Sequence, residues 1–353
     1  MRLRDRDYIV GVEGILFRVL GYLHPPDGYV CEPEYAPKTI FKSSNPRAPR
    51  GYPEVAYFKF YGDEGLKFVE KNYPSYRIYV KPLRTYLVGV PLELISAIRK
   101  PQDGLTRIME ASSRDKLLND TVEIVDILCE TANLSVSDIG VFGSILHGFH
   151  NPNLSDIDLV IYGSRCIVKL KECLSELYSM EDSRLRNEYD FPVEKPRWIF
   201  RNYSLKEYIF HERRKMIYGK YWDGDRWVKV EFEPVKSYDE YRDEYTEIVS
   251  IDKVGWVKLE SVIVDDSSVY FTPAVYGVEV TKLVSGSREA LDTSKIVSYI
   301  DEFRLQAWRD EEVYVEGMLE RVIRRDRVEY QVSLTYCDRY VDQVLKLRRI
   351  PGL

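Results

Sequence analysis

Cysteine is scarce and poorly arranged for cross-linking. The 353 residues hold five, Cys31, Cys129, Cys166, Cys173 and Cys337, an odd number with no Cys-x-x-Cys pair. That usage argues against a disulfide framework or a zinc knuckle and for reduced, buried thiols in a cytosolic protein. Histidine is just as sparse, at four residues. Glutamine is rare too beside many ion-pairing side chains, a composition that suits a hot environment. No apolar run approaches the length of a membrane span, so no membrane partner is expected. The start, MRLRDRDYIVGVEGILF, is charged, and its apolar part is broken by Glu13 and Arg18. It lacks a small-residue cleavage site, and no signal peptide is expected there. Positive charge is not in excess: 51 Lys and Arg against 57 Asp and Glu leave a net charge of −6. That balance weighs against broad affinity for nucleic acid, while leaving room for a local basic groove. The remainder, 44% apolar and 31% charged, is that of an ordinary folded chain with room for two or three domains.

The most informative stretch is IGVFGSILHGFHNPNLSDIDLVIYG, residues 139–163. Ile139 to Phe142 is a short apolar run bounded by Gly143, which predicts a buried strand. Gly143-Ser144 then turns the chain, and Ile145 to Phe149 predicts a short helical segment. Asn151, Pro152, Asn153 and Ser155 spell a loop. Ile157, Leu159 and Ile161 alternate with Asp158, so a second strand begins with Asp156 and Asp158 on one face. Residues two apart in a strand point the same way, with Cα atoms about 6.6 Å apart. Two carboxylates so placed can converge on a divalent cation, which offsets their mutual repulsion. Magnesium accepts two or three carboxylates together with water and substrate phosphate. The Gly143-Ser144 turn offers backbone N–H groups and a hydroxyl to an anion.

An apolar strand, Gly-Ser, a spacer of roughly ten residues and Asp-x-Asp entering another apolar strand resembles the polymerase-β-type nucleotidyltransferase signature. Here it reads Phe142, Gly143, Ser144, then Ser155, Asp156, Ile157, Asp158, Leu159, Val160. More remotely, the chain looks like archaeal proteins classed as predicted nucleotidyltransferases. The resemblance implies that Asp156 and Asp158 bind metal and that Gly143 and Ser144 touch the triphosphate. The superfamily also requires a third carboxylate on a neighbouring strand. In RWVKVEFEPV, Trp227, Lys229, Glu231 and Glu233 share a face, so Glu231 fits that slot first and Glu233 second. Glutamate there departs from the commoner aspartate.

The fold class expected is α+β: a central nucleotidyltransferase-like mixed sheet with helices, flanked by β-rich N- and C-terminal modules. Residues 1–90 form the first module, 91–240 the catalytic domain and 247–353 the last, which could pack with the first. PLELISAIRKP and SSRDKLLNDTVEIVDILCETAN read as helical, with Ser112 or Ser113 as N-cap and Asp115 and Asp120 on the outer face. SRCIVKLKECLSELYSM reads as a helix, with Val168, Leu170, Leu174 and Leu177 inside. RNYSLKEYIFHERRKMIYGKYW reads as one helix ending near Gly219, carrying Arg213, Arg214 and Lys215 toward a phosphate-bearing substrate. Alternating runs after Glu247 suggest a meander or small barrel, with a hairpin at Arg325-Asp326. The tail, CDRYVDQVLKLRRIPGL, fits a helix or a strand. Residues 12–19, VEGILFRV, echo residues 315–322, VEGMLERV, as duplicated modules or facing parts of one β domain would.

Two further features bear on chemistry. Lys38, Lys42, Arg47 and Arg50 lie in a segment with no acid from Ala36 to Tyr52, a candidate lid or polyphosphate contact that reads equally as a solvated loop. His147 fits a phosphate contact or a packing role. The activity expected is transfer of a nucleoside monophosphate from a nucleoside triphosphate to an acceptor hydroxyl with release of pyrophosphate. It would use Mg2+ (or Mn2+) held by Asp156, Asp158 and Glu231. RNA, a protein hydroxyl and a small molecule all stay open as acceptor. The rivals are an inert nucleotide-binding or scaffolding protein and a nucleic-acid binder built on the β-rich modules.

Overall fold

The computed structural model describes residues 2–195, 198–350 and 352. They form two compact units. The first comprises residues up to 80 with 85–186 and 220–242, and the second comprises 81–84, 187–219 and 243–353.

Eight strands open the first unit: β1 (Tyr8–Gly11), β2 (Leu16–Val19), β3 (Gly28–Pro37), β4 (Pro49–Arg50), β5 (Tyr57–Lys59), β6 (Arg77–Val80), β7 (Thr85–Pro91) and β8 (Ile95–Arg99). Their order is β4-β5-β3-β2-β1-β8, with β7 pairing β3 and β6. Helix α1 (Glu64–Asn72) lays Val69 on a core of Ile9, Phe17, Val19, Cys31 and Val90. Ile95 to Arg99, read above as helical, is a strand. It pairs antiparallel with β1, Ile9 opposite Ile98, and that pairing overrides a weak local preference. A helix does follow, α2 (Pro101–Glu110), opened by Pro101.

Helix α3 (Lys116–Thr131) buries Leu117, Thr121, Ile124, Val125 and Leu128, an apolar stripe at helical spacing. Its N-cap is Asp115, which accepts from the Leu118 amide at 3.0 Å, rather than Ser112 or Ser113. Asp120 is buried, not on the outer face. Next come β9 (Ile139–Val141), α4 (Gly143–His147), β10 (Ile157–Tyr162), α5 (Ser164–Ser179) and β11 (Leu185–Asn187). In α5 Ile167 takes the inner position and Val168 faces out. After α6 (Leu205–Arg214) follow β12 (Tyr218–Trp222) and β13 (Trp227–Val235). The expected single helix to Gly219 therefore ends early, where Met216 takes a left-handed conformation and β12 begins.

The second sheet has the order β11-β12-β13-β10-β9. Strand β10 lies between β13 and β9, with Ile157, Leu159, Val160 and Ile161 wholly enclosed. It runs parallel to β13 and antiparallel to β9. An α+β chain with β-rich flanks is what the sequence implied.

The second unit holds α6 and six strands: β14 (Ile248–Ser268), β15 (Ala274–Ser285), β16 (Thr293–Ser298), β17 (Glu312–Arg324), β18 (Val328–Leu334) and β19 (Val344–Leu347). Strand β14 pairs with both β15 and β17, and β16 runs parallel to β18. The ring β14-β15-β16-β18-β17 therefore closes on itself as a small barrel. Strand β19 settles the tail as a strand; Pro351 and Leu353 lie outside the described residues. The β17–β18 hairpin turns at Arg325-Asp326 as expected. The echoed segments differ in structure. Glu13-Gly14 lies in a turn with Gly14 at φ +82°, whereas Glu316-Gly317 lies inside β17.

Candidate active site

The parallel register of β10 and β13 sets Asp158 directly beside Glu231 and Val160 beside Glu233. Adjacent strands lie about 4.8 Å apart, so Asp158 and Glu231 project side by side from one face. Asp156 sits exposed just before β10. Burial, then Glu231 and Asp156, push the Asp158 carboxyl up to about 8, against Lys59 and Lys229. Glu231 is ion-paired with Lys229, its neighbour on the same face.

The Gly143-Ser144 turn abuts this group. The Phe142 amide donates to the Asp158 carbonyl at 2.8 Å, tying the end of β9 to β10. Gly143 has φ +58°, and a Cβ there would overlap the Asp158 carboxylate, so both backbone and space demand glycine. Ser144 is buried and its hydroxyl meets that of Ser155 at 3.3 Å. Ser155 in turn accepts from the Asn151 amide at 2.9 Å, which ties down the loop before Asp156.

The N-terminal sheet closes on the same element. Tyr8 packs on Phe142 and His147 with ring centroids 5.2 and 4.3 Å apart. Tyr35 and Tyr57 pack on Phe149 at 5.0 and 5.2 Å. The Gly51 amide donates to the Phe149 carbonyl at 3.0 Å. Strand β5 thereby brings Lys59 into the field of Asp158, where Lys59 pairs with Glu34 at 3.1 Å. Tyr35, Glu34 and Asp158 hold the Lys59 ammonium charged against burial. The sequence reading passed over Lys59. Its only local mark is the alternation of Tyr57, Lys59 and Tyr61.

Residues 122–211 match the nucleotidyltransferase domain. The match bears out the resemblance drawn from Gly-Ser and Asp-x-Asp. The nucleotidyltransferase match includes Gly143, Ser144, Asp156 and Asp158 and stops before Glu231. An uncharacterized protein of Methanocaldococcus jannaschii is 26% identical over 340 residues, 94% of each chain. No solved structure gave a significant match.

Within the nucleotidyltransferase frame, Glu231 and Glu233 separate clearly. The buried Arg6 guanidinium binds Glu233 at 2.8 Å, while Glu231 stays beside Asp158. Arg213, Arg214 and Lys215 belong to the second unit and already have partners there. Arg213 pairs with Asp190 at 2.6 Å and Arg214 with Glu311 at 2.5 Å. Lys215 is wholly enclosed, paired with Glu212 and donating to the Glu302 carbonyl, each at 2.5 Å. His147 is a packing residue: Arg99 meets its Nδ1 at 3.1 Å, and burial, then Arg99, push its pKa down to about 3. His150 pairs with Asp115 at 2.8 Å. Arg50 is fixed in β4, while Lys38, Lys42 and Arg47 are exposed.

Three neighbouring carboxylates, with Asp158 raised by burial and then by the other two, are the donor set a hard divalent cation takes. Among the described residues no group of three His, Cys, Asp or Glu already stands ready to hold a metal ion. The Lys229 pairing draws Glu231 along its own strand instead.

Proposed function

We propose that this protein transfers a nucleoside monophosphate from a nucleoside triphosphate to an acceptor hydroxyl, releasing pyrophosphate. The observation that carries the reading is Glu231 in register with Asp158, with Asp156 and the Gly143 turn adjoining. Asp156, Asp158 and Glu231 would hold magnesium or manganese, which would supply screening of the phosphate oxygens and activation of the attacking hydroxyl. Glu231 would draw the proton from the incoming hydroxyl. Gly143 and Ser144 face the polyphosphate, with the Ser144 hydroxyl turned from Ser155 toward a phosphate oxygen. The ion pairs of Arg213, Arg214 and Lys215 favour a structural role for those three. RNA and protein hydroxyls remain the acceptors to try first, in a cytosolic setting that suits the reduced thiols.

The Lys229–Glu231 pair favours a second reading, an inert nucleotide-binding protein in which lysine replaces a cation. Transfer of α-labelled nucleotide into a cell-extract acceptor pool, with magnesium and each triphosphate in turn, separates the two. Label transferred by the wild type and reduced at least about 1000-fold in Asp158→Asn supports the enzyme, since lost metal binding removes several kcal/mol. Triphosphate binding with no transfer above the variant leaves the inert protein.

A further inference from the structure

A bound triphosphate brings three to four negative charges to a site whose own strands contribute three carboxylates. Cations must come from somewhere. Helix α4 has five residues, too short for its end to hold a polyphosphate. Arg213, Arg214 and Lys215 are engaged elsewhere, the last wholly enclosed. Lys229 pairs with Glu231.

The N-terminal sheet supplies what is missing. Lys59 stands on β5 opposite Tyr35 of β3, and its amide is fixed to the Ala48 carbonyl at 2.8 Å. Its side chain is 32% exposed and pairs with Glu34. Arg50 of β4 sits opposite Tyr57 of β5 and acts on both Tyr35 and Lys59. The Arg50 guanidinium donates to the carbonyls of Arg47 at 2.6 Å and Pro49 at 3.0 Å. Among the described residues no carboxylate pairs with it. Two cations thus stand on adjacent strands, Lys59 in the field of Asp158 and Arg50 without a paired carboxylate among the described residues. The ring contacts of Tyr35 on β3 and Tyr57 on β5 with Phe149 fix those two strands to the loop after α4.

We propose that Lys59 and Arg50 are the residues that bind the β- and γ-phosphates of the triphosphate, and then the departing pyrophosphate, an inference that rests on the transferase reading for its substrate. The polyphosphate thus lies between Gly143-Ser144 and the β4–β5 hairpin. The basic segment that ends at Arg50 serves as a fixed wall of the site rather than a free lid.

The test is equilibrium binding of inorganic tripolyphosphate with magnesium to the full chain. Lys59→Met should weaken it about 10- to 100-fold, the loss of one charge-assisted contact. Lys59→Arg should stay within about threefold of wild type, since its charge and donors persist. Arg50→Gln, on a half-exposed two-residue strand, should weaken binding about tenfold by the same reasoning, and it serves if Lys59→Met does not fold. Wild-type affinity in folded Lys59→Met and in Arg50→Gln would overturn the proposal, as would a wild type that fails to bind tripolyphosphate. Lysine-dependent binding in a protein that transfers no nucleotide would remove the transferase reading and leave this wall standing. Nucleotide transfer with an unchanged KM in both variants would do the reverse.

Discussion

Asp158 shows how one residue's environment carries a chemical meaning. Its main chain is tied to Phe142, its carboxylate fills the space a Cβ on Gly143 would need, and Glu231 stands in register beside it. A half-buried acid crowded by two others is a poor choice for stability alone and a good one for holding a cation. His147, three residues beyond Ser144, shows the opposite use. Its ring lies among Tyr8, Tyr35 and Phe149, and the Nε2 atom is buried without a partner. Protonating that ring in place would put a second cation beside Arg99. The folded ring therefore takes up its proton only near about 3, against 6.5 in the unfolded chain. The contribution to stability is complete above pH 6.5 and is lost as pH falls toward about 3. His147→Asn keeps an acceptor for Arg99 and removes the titration. Thermal melting from pH 7 to pH 4 should then fall less steeply for the variant, even if it starts lower. Parallel slopes would rule out His147 as a source of the acid sensitivity.

At the scale of elements, the clearest dependence joins the N-terminal segment to β13. Arg6 and Asp5 are almost wholly buried, and Arg6 pairs with Asp5 at 3.1 Å and with Glu233 at 2.8 Å. Removing one partner of a buried pair leaves the other charged and unsolvated, at a cost of about 3–5 kcal/mol, whereas replacing both with apolar groups is often close to neutral. Urea unfolding of Arg6→Met should show that loss. Arg6→Met with Glu233→Met should recover the part of it that belongs to Glu233, while Asp5 stays without Arg6. A double variant as unstable as the single one would place the cost at Asp5 or in packing around Arg6 instead. This pairing also explains which acid was left for Asp158, a choice that alternation along RWVKVEFEPV left open. Alternation assigns a face; the partner that occupies each position on that face comes from a distant strand. The same limit explains the misread segment at Ile95–Arg99, whose strand character comes from β1. The stretch from Ile139 to Gly163 was legible because strand, turn, helix and strand follow one another within one short segment. Each of them carries its own local signal: β-branched runs, Gly143, and Asp158 amid buried aliphatics.

At the scale of the whole molecule, closure of the barrel and the placing of Lys59 in the field of Asp158 depend on contacts between residues far apart in the chain. No window of sequence displays them. The β-rich character of both flanks was visible in alternating runs, but the pairing of β14 with both β15 and β17 was not. Nor was it visible that the first flank belongs to the compact unit that holds the carboxylates. That membership has a measurable consequence. Hydrogen exchange of the full chain, with and without magnesium and a non-hydrolysable triphosphate, should slow in three separate segments of the first unit. These are β4–β5 around Arg50 and Lys59, the turn and loop from Gly143 to Asp158, and β13 around Glu231. The backbone amides of β5 and β13 already bond within their sheets, so the change there should come from suppressed local opening. Within the second segment the Gly143-Ser144 turn should slow most, because a bound phosphate adds a partner there, while the Asn151 amide bond to Ser155 keeps the loop tied. Slowed exchange at α6 with none at β4–β5 would bring Arg213 and Arg214 back as the phosphate contacts and displace Lys59. Slowing at the carboxylate strands alone would mean that the metal binds and the polyphosphate extends into solvent.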